Sequence, residues 1–404
     1  MINSTSTQVF EIQELLQAIF TGGFEGDDSF AIWRKPKSNA LELIYSPKEE
    51  IQKVNLEIES LPPGFIIHPF ADQKNQEAFF IEAEHYHRFD LSQPLELSDM
   101  PNFLRELIEH QNQDAVPFQI FKSNSSASKN FESAYSEEQS HFEGLVNEVK
   151  EGIQKGLFEK VVPARTKTIP LNSDFDLVKS FEALLRKYPN AFVNFFHLPK
   201  IGTWLGASPE VLIETKEDQF YTMSLAGTQP ANGDNPIKSV AWTQKEIEEQ
   251  ALVSRYIVDC FKKIRLREYE EHGPKTVQAG TLLHLRSDFK VNMKETNFPQ
   301  LGSVMLKLLH PTSAVCGMPR QPALDFIREK EGFDREFFAG FLGPININQV
   351  SSIYVNLRTA SLKSDRAIVF AGAGVTEDSD PTLEWEETEL KCANIGRILQ
   401  NPDQ

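Results

Sequence analysis

Apolar runs of strand length, each closed by turn residues or charge, recur along this chain: FIIHPF at 65–70, EAFFIEAEHYHRF at 77–89, KVVPARTKTI at 160–169, AFVNFFHL at 191–198, SSIYVNLRTASL at 351–362 and AIVFAGAG at 367–374. Strand side chains alternate between two faces, so such runs need a second layer to cover them. Two stretches instead keep helical spacing: Phe142, Leu145, Val146, Val149, Ile153 and Leu157, then Ile247, Leu252, Tyr256, Ile257, Cys260, Phe261 and Ile264. Strands and helices without an internal repeat predict an α+β fold. Residues 122–140, KSNSSASKNFESAYSEEQS, are rich in Ser, Asn and charge and read as a surface linker. The expected division is therefore 1–139, weakly patterned, and 140–404, which carries the motifs.

Of the 404 residues 40% are hydrophobic, enough for a real core, and the formal charge is −17. That sign argues against nucleic acid or an anionic membrane surface as partner, because both select basic faces. An anionic ligand must then be held by local charge. Cys260, Cys316 and Cys392 are odd in number and widely spaced, which indicates neither a disulfide framework nor a zinc knuckle and fits a reducing cytoplasm. The N-terminal MINSTSTQVFEIQELLQAIF lacks the plan of a signal peptide, and no stretch approaches the ~18 apolar residues of a membrane span. His85 and His87 share one strand face, but no third ligand is apparent.

Several segments carry candidate chemistry. SDPTLEWEETELK reads as a helix opening after Pro381, with Glu384 and Glu387 on one face and Lys391 one turn beyond Glu387. Alone it is an ordinary acidic helix start. KEIEEQAL supplies Glu248 and Glu249 on a second helix, and two such helices brought together need a cation; all-oxygen ligands with room for water suit Mg²⁺ better than zinc. LAGTQP (225–230) and AGAGVTEDSDP (371–381) are Gly-rich turns able to offer backbone N–H groups to an anion. Arg358 falls on a strand of mostly apolar residues, Lys160 at a strand entrance, and Glu210 just after Ser208-Pro209.

In order, KVVPAR, GASPEVLIE, LAGT, LLHPTSAVCGMPRQPA, DREFFAGFLG, NLRTASL, FAGAGVTEDSDP and EWEETELK make the chain resemble the chorismate-utilising enzymes over about residues 140–400. That family comprises isochorismate synthases, salicylate synthases, anthranilate synthase large subunits and aminodeoxychorismate synthases. The resemblance implies one large α+β domain, with two antiparallel sheets packed back to back, helices outside and the active site in a cleft. Residues 1–139 then become the divergent part of the same fold. It also implies Mg²⁺ held by Glu249 and Glu387, with Glu384 nearby or bonded through water. Arg358, Gly372, Gly374 and Lys391 match groups that hold substrate carboxylates, and Thr228, His284 and Ala314 match further substrate-binding positions. Two residues depart from the pattern: Gln250 stands where His is common, and Pro163 replaces an aliphatic residue.

Members of the family differ in the nucleophile delivered to ring carbon C2. Attack by water requires a base and an acid on opposite sides, and Lys160 and Glu210 match those roles; burial would lower the pKa of the one and raise that of the other. Anthranilate synthases usually have Gln at the Lys160 position, and aminodeoxychorismate synthases often have Lys where Ala226 stands. The expected activity is an Mg²⁺-dependent isochorismate synthase, an isomerase acting on chorismate. Salicylate synthase is the enzymatic alternative and a non-catalytic relative the other. Such an enzyme is expected to be cytoplasmic and monomeric and to need no glutamine amidotransferase subunit.

Overall fold

Two antiparallel sheets hold 17 of the 21 strands of the computed structural model, which describes residues 9–47, 51–71, 77–109, 116–124, 135–172, 174–231, 235–280 and 282–403. The first sheet has eight strands in the order Ala164–Pro170, Arg366–Gly372, Thr359–Leu362, Gly202–Ser208, Phe192–Leu198, Ser29–Arg34, Ala40–Ser46 and His85–Asp90. The second has nine, in the order Glu270–Ala279, Leu282–Asn292, Gln219–Pro230, Val211–Lys216, Val350–Val355, Phe341–Ile345, Gly64–His68, Glu77–Glu82 and Gln52–Asn55. The α+β class and the paired antiparallel sheets are as expected. Residues 29–90 place three strands in each sheet.

Packing explains why the apolar runs hardly alternate. In Phe192–Leu198, Phe192 and Phe196 point into a core shared with the second sheet, while Val193 and Phe195 point into a core covered by helices. That outer core is closed by helices Ile12–Glu25, Leu177–Lys187 and Pro381–Gln400, through residues such as Phe20, Phe181 and Ile395. Between the sheets, the Phe192 ring stacks on Tyr354 at 4.0 Å. Helix Gln244–Lys263 lies on the second sheet, with Phe261 against Phe220 and Phe289.

Three local expectations change. SSIYVNLRTASL is two strands, not one, because the chain leaves the second sheet after Val355 and joins the first at Thr359. Arg358 therefore sits in the break, at φ 49, rather than on a strand. Leu157 falls outside the helix Tyr135–Gln154, beyond Gly156 at φ 72, and is 57% exposed instead of buried. Ile247 is 47% exposed in the first turn of its helix. Residues 125–134 of the expected linker, like residues 1–8, lie outside the described residues; helices Pro117–Asn124 and Tyr135–Gln154 flank the former. His85 and His87 lie on an edge strand, their rings against Phe103 and Phe89. Among the described residues no helix is long and apolar enough to cross a membrane.

Because Phe192 joins the two sheets, Phe192→Ala should cost about 3–5 kcal/mol of unfolding free energy. Urea unfolding should show this as a lower midpoint with an unchanged slope.

Candidate active site

The first sheet passes into the second at two adjacent places. Strand Gly202–Ser208 continues through Pro209-Glu210 into Val211–Lys216, and Val350–Val355 continues through Asn356–Arg358 into Thr359–Leu362. The two passes are tied together: Val355 N–H donates to Glu210 O at 3.1 Å, Ala207 N–H to Arg358 O at 2.9 Å and Ser208 Oγ to Val355 O at 2.5 Å. Glu210 and Arg358 thus leave the backbone where neither sheet continues, and both face a cleft enclosing about 700 Å³ free of protein atoms, part of it open to solvent. Ten of the twelve expected site residues line it: Glu210, Thr228, Glu249, His284, Ala314, Arg358, Gly372, Gly374, Glu387 and Lys391. Lys160 and Glu384 stand behind that lining.

Two helices aim carboxylates at the cleft. Gln244–Lys263 starts in a capping box between Thr243 and Glu246, and its face Glu249, Val253, Tyr256 and Cys260 turns inward. Pro381–Gln400 is capped by Asp380, which accepts from Thr382 N–H at 2.9 Å and Leu383 N–H at 3.1 Å. Each carboxylate is paired with a lysine. Lys160, fully buried, donates to Glu249 Oε1 at 2.8 Å; Lys391 lies 2.7 Å from Glu387; and Lys245 pairs with Glu384. Gly374 permits the first pair, since a Cβ there would collide with Glu249 Oε1. Burial raises the Glu249 pKa, but the nearby lysines outweigh it and hold the group below its ordinary value.

Carboxylate oxygens are the kind of donor a hard divalent cation takes. Glu384 is 1% exposed and its Oε2 is buried without a hydrogen-bond partner among the described residues. Burial, then the Glu387 charge, push its pKa up. Burial works against the Lys245 ammonium, yet Glu384, Glu387 and Glu249 together raise its pKa. Carboxylates from two helices therefore stabilise positive charge at one place. With lysines interposed, no group of three or more His, Cys, Asp or Glu among the described residues is arranged to close on one ion.

On the crossing side, burial pushes the Glu210 carboxyl up to about 8 against the opposing charges of Lys160, Arg358 and Lys391, so it is protonated at neutral pH. Burial, then Arg358, push His284 down to about 3, leaving a neutral ring. Its Nδ1 lies 2.8 Å from the Gly227 carbonyl, which only accepts, so Nδ1 carries the proton and Nε2 accepts from Arg358 Nη2 at 3.2 Å. The histidine orients the arginine. Gly227 sits in a bulge of strand Gln219–Pro230 at φ 72, and its N–H donates to Glu249 Oε2 at 3.3 Å.

LAGTQP is a bulged stretch of strand Gln219–Pro230 rather than a turn, and the anion that its Gly227 N–H meets is the protein's own Glu249; in 371–381 Ala373, Val375 and Thr376 give their N–H groups to Pro163 O, Val161 O and Ser379 Oγ. Lys391 Nζ also donates to Gly372 O at 2.7 Å. Gln250 does structural work, its Nε2 donating to Ser224 at 2.8 Å and Ser287 at 3.3 Å. Sequence reasoning missed Lys245, although it lies one turn before Glu249. Arg335 and Phe338, within DREFFAGFLG, carry no sequence signal that sets them apart from their neighbours, yet both line the cleft.

A family model described as chorismate binding enzyme matches residues 95–400, well over half of the chain. Isochorismate synthase EntC of Escherichia coli strain K12 is 29% identical over 269 residues, 65% of this chain and 68% of that protein. The salicylate biosynthesis isochorismate synthase of Pseudomonas aeruginosa is 31% identical over 273 residues, 66% of this chain and 56% of that protein. The crystal structure of the putative 2,3-dihydroxybenzoate-specific isochorismate synthase DhbC from Bacillus anthracis has a TM-score of 0.72 at 21% identity, covering 95% of this chain and 99% of that one. That likeness in structure extends the shared fold to residues before the family match. By its motifs, its fold and the match over residues 95–400, the chain belongs to the chorismate binding enzyme family.

Proposed function

We propose that this chain is an isochorismate synthase that converts chorismate to isochorismate by adding water at C2 and expelling the C4 hydroxyl. The observation that carries the reading is Glu210, a carboxyl that faces the cleft and that burial keeps protonated to about pH 8, with the buried Lys160 the strongest of the charges opposing that shift. Lys160, once its ammonium has given a proton to solvent, accepts one through Nζ from the attacking water. Glu210 gives its proton to the departing C4 oxygen, which leaves as water while the ring double bonds shift. Both groups then exchange protons with solvent and are reset. Arg358, oriented by His284, and Lys391 hold carboxylates by charge-assisted hydrogen bonds. Glu249 and Glu387, with Glu384 alongside, would hold Mg²⁺, which when bound orients the ring carboxylate and stabilises charge on it. Water as nucleophile needs no ammonia-supplying subunit.

Ala314 and Val315 line the cleft with apolar side chains and offer no hydroxyl to hold the enolpyruvyl group for elimination. Incubation with chorismate and Mg²⁺ should therefore release isochorismate, and salicylate fluorescence should rise only after an isochorismate lyase is added. Strong fluorescence without the lyase would identify a salicylate synthase; unchanged chorismate would remove the assignment altogether.

For the cation, EDTA should abolish turnover and Mg²⁺ restore it, whereas Glu387→Ala should show no calorimetric Mg²⁺ binding at concentrations that saturate the parent. Activity in metal-free buffer contradicts the cation role.

For the proton-transfer pair, Lys160→Ala and Glu210→Gln should fold and lose on the order of 10²-fold in kcat. The parent's kcat should fall as pH rises through about 8, where Glu210 loses its proton. The stability sign follows from the same shift. The folded state holds the proton up to about 8 and the unfolded chain only to about 4.5, so stability from this group is complete below 4.5 and lost on going to 8. Glu210→Gln should therefore gain in melting temperature relative to the parent across that interval; parallel curves would contradict the shift.

A further inference from the structure

We infer that Glu331 and Arg335 form a positioning pair that sets the Lys160 segment against the Ala314 wall of the cleft. The inference rests on the reaction proposed above. Lys160 belongs to a strand of only two residues, Lys160–Val161, paired with Gly317–Met318. The next regular strand starts at Ala164. Between them the chain runs through Val162 and Pro163, and Pro163 has no N–H to offer a ladder. Buried backbone groups in such a gap need other partners.

Val162 N–H donates to Cys316 O at 2.9 Å and Pro163 O accepts from Ala373 N–H at 3.1 Å, and Glu331 and Arg335 supply the partners of the remaining two groups, Val162 O and Ala164 N–H. Glu331 Oε1 accepts from Ala164 N–H at 2.8 Å, and Arg335 Nη2 donates to Val162 O at 2.7 Å. On its other side Arg335 Nη1 donates to Val315 O at 2.9 Å, next to Ala314. The two residues join through Nε to Oε2 at 2.8 Å and a second contact from Nη2 to Oε1. Their side chains are 3% and 1% exposed for Arg335 and Glu331, and the guanidinium lies over the Phe70 ring at 4.2 Å.

One rigid fork thus holds two separate segments by their carbonyls, one carrying the proposed base and the other lining the substrate cavity. Arg335 itself lines the cleft. A buried ion pair need not add net stability, since well-packed apolar groups often do as well. This pair's partners are backbone atoms whose spacing places Lys160, and an apolar pair cannot hold them. DREFFAGFLG and Pro163 therefore belong to one device: the proline opens the strand and the ion pair closes it.

Glu331→Gln tests this with little change of shape. The amide keeps one acceptor for Ala164 N–H but turns its NH₂ toward Arg335 Nε, donor against donor. Melting should remain a single transition, kcat should fall about tenfold or more, and KM should stay within about threefold, as for a displaced reacting group. Arg335→Ala should lose more, with partial recovery of kcat on adding methylguanidinium. Amide exchange should quicken at 160–164 and 314–317 and stay unchanged in strands Ser29–Arg34 and Ala40–Ser46. A lower melting temperature with parental kcat and parental exchange at 160–164 would reduce the pair to a structural role and overturn the inference. If Arg335→Ala does not fold, Glu331→Gln decides alone. If the parent converts no chorismate, the reaction assignment falls by that result, while the exchange comparison still decides whether the pair fixes the Lys160 segment.

Discussion

Strands that leave one sheet and continue in another cannot keep their hydrogen-bond ladder through the crossing. Here two neighbouring passes, 207–211 and 355–359, cross together and satisfy each other's backbone groups, with Arg358 held at φ 49 and Ser208 Oγ bonded to Val355 O. Everything chemical is arranged around that seam. Because ladder pairing stops there, side chains from both passes face a space that neither sheet fills, and Glu210 and Arg358 enter it from a rigid base. The glutamate helices and the Lys160 strand are then needed only to close the other side.

Charge in the cleft is managed by pairing. A chain of formal charge −17 repels a dianion at long range, yet its cleft brings Lys160, Lys391, Arg358 and Lys245 close to Glu249, Glu387 and Glu384. The consequence differs group by group. Glu249, with lysines nearby, stays below its ordinary pKa, whereas Glu210, buried and making no ion pair among the described residues, moves to about 8. Two carboxyls of one type thereby take opposite protonation states in one cavity, as a site needs when one must bind cations and the other give a proton.

Much of this was legible in the residues. Apolar runs closed by turns marked nine of the 21 strands among the described residues, and the helical spacing of Leu252, Tyr256, Ile257 and Cys260 marked the helix that carries Glu249. The order of the motifs pointed to the family and to ten residues that the fold brings to one cleft. The failures were confined to short stretches, and their causes lay in the fold. Apolar character continues through SSIYVNLRTASL, so nothing in it announces that the chain changes sheets at Asn356. The glycines of 371–381 suggested an anion cradle, but which N–H groups remain available depends on neighbours such as Pro163 and Val161, distant in the chain.

By itself, then, the sequence determined the α+β class, an acidic balance that argues against polyanionic partners and the two glutamate-bearing helices, because these depend on periodicity, composition and residue type, while its resemblance to the family implied the proposed acid and base. Tertiary structure alone decided that Glu210 is protonated, that His284 is neutral with its proton on Nδ1, that Lys245 shares the carboxylates, and that Glu331 and Arg335 bridge the gap beside Pro163. Those properties come from desolvation and from partners that are mostly remote in the chain: the hydrogen bonds that set His284, Lys245 and Ala164 each join residues more than 50 apart. Burial and distance are features of the folded chain, and no local pattern encodes them.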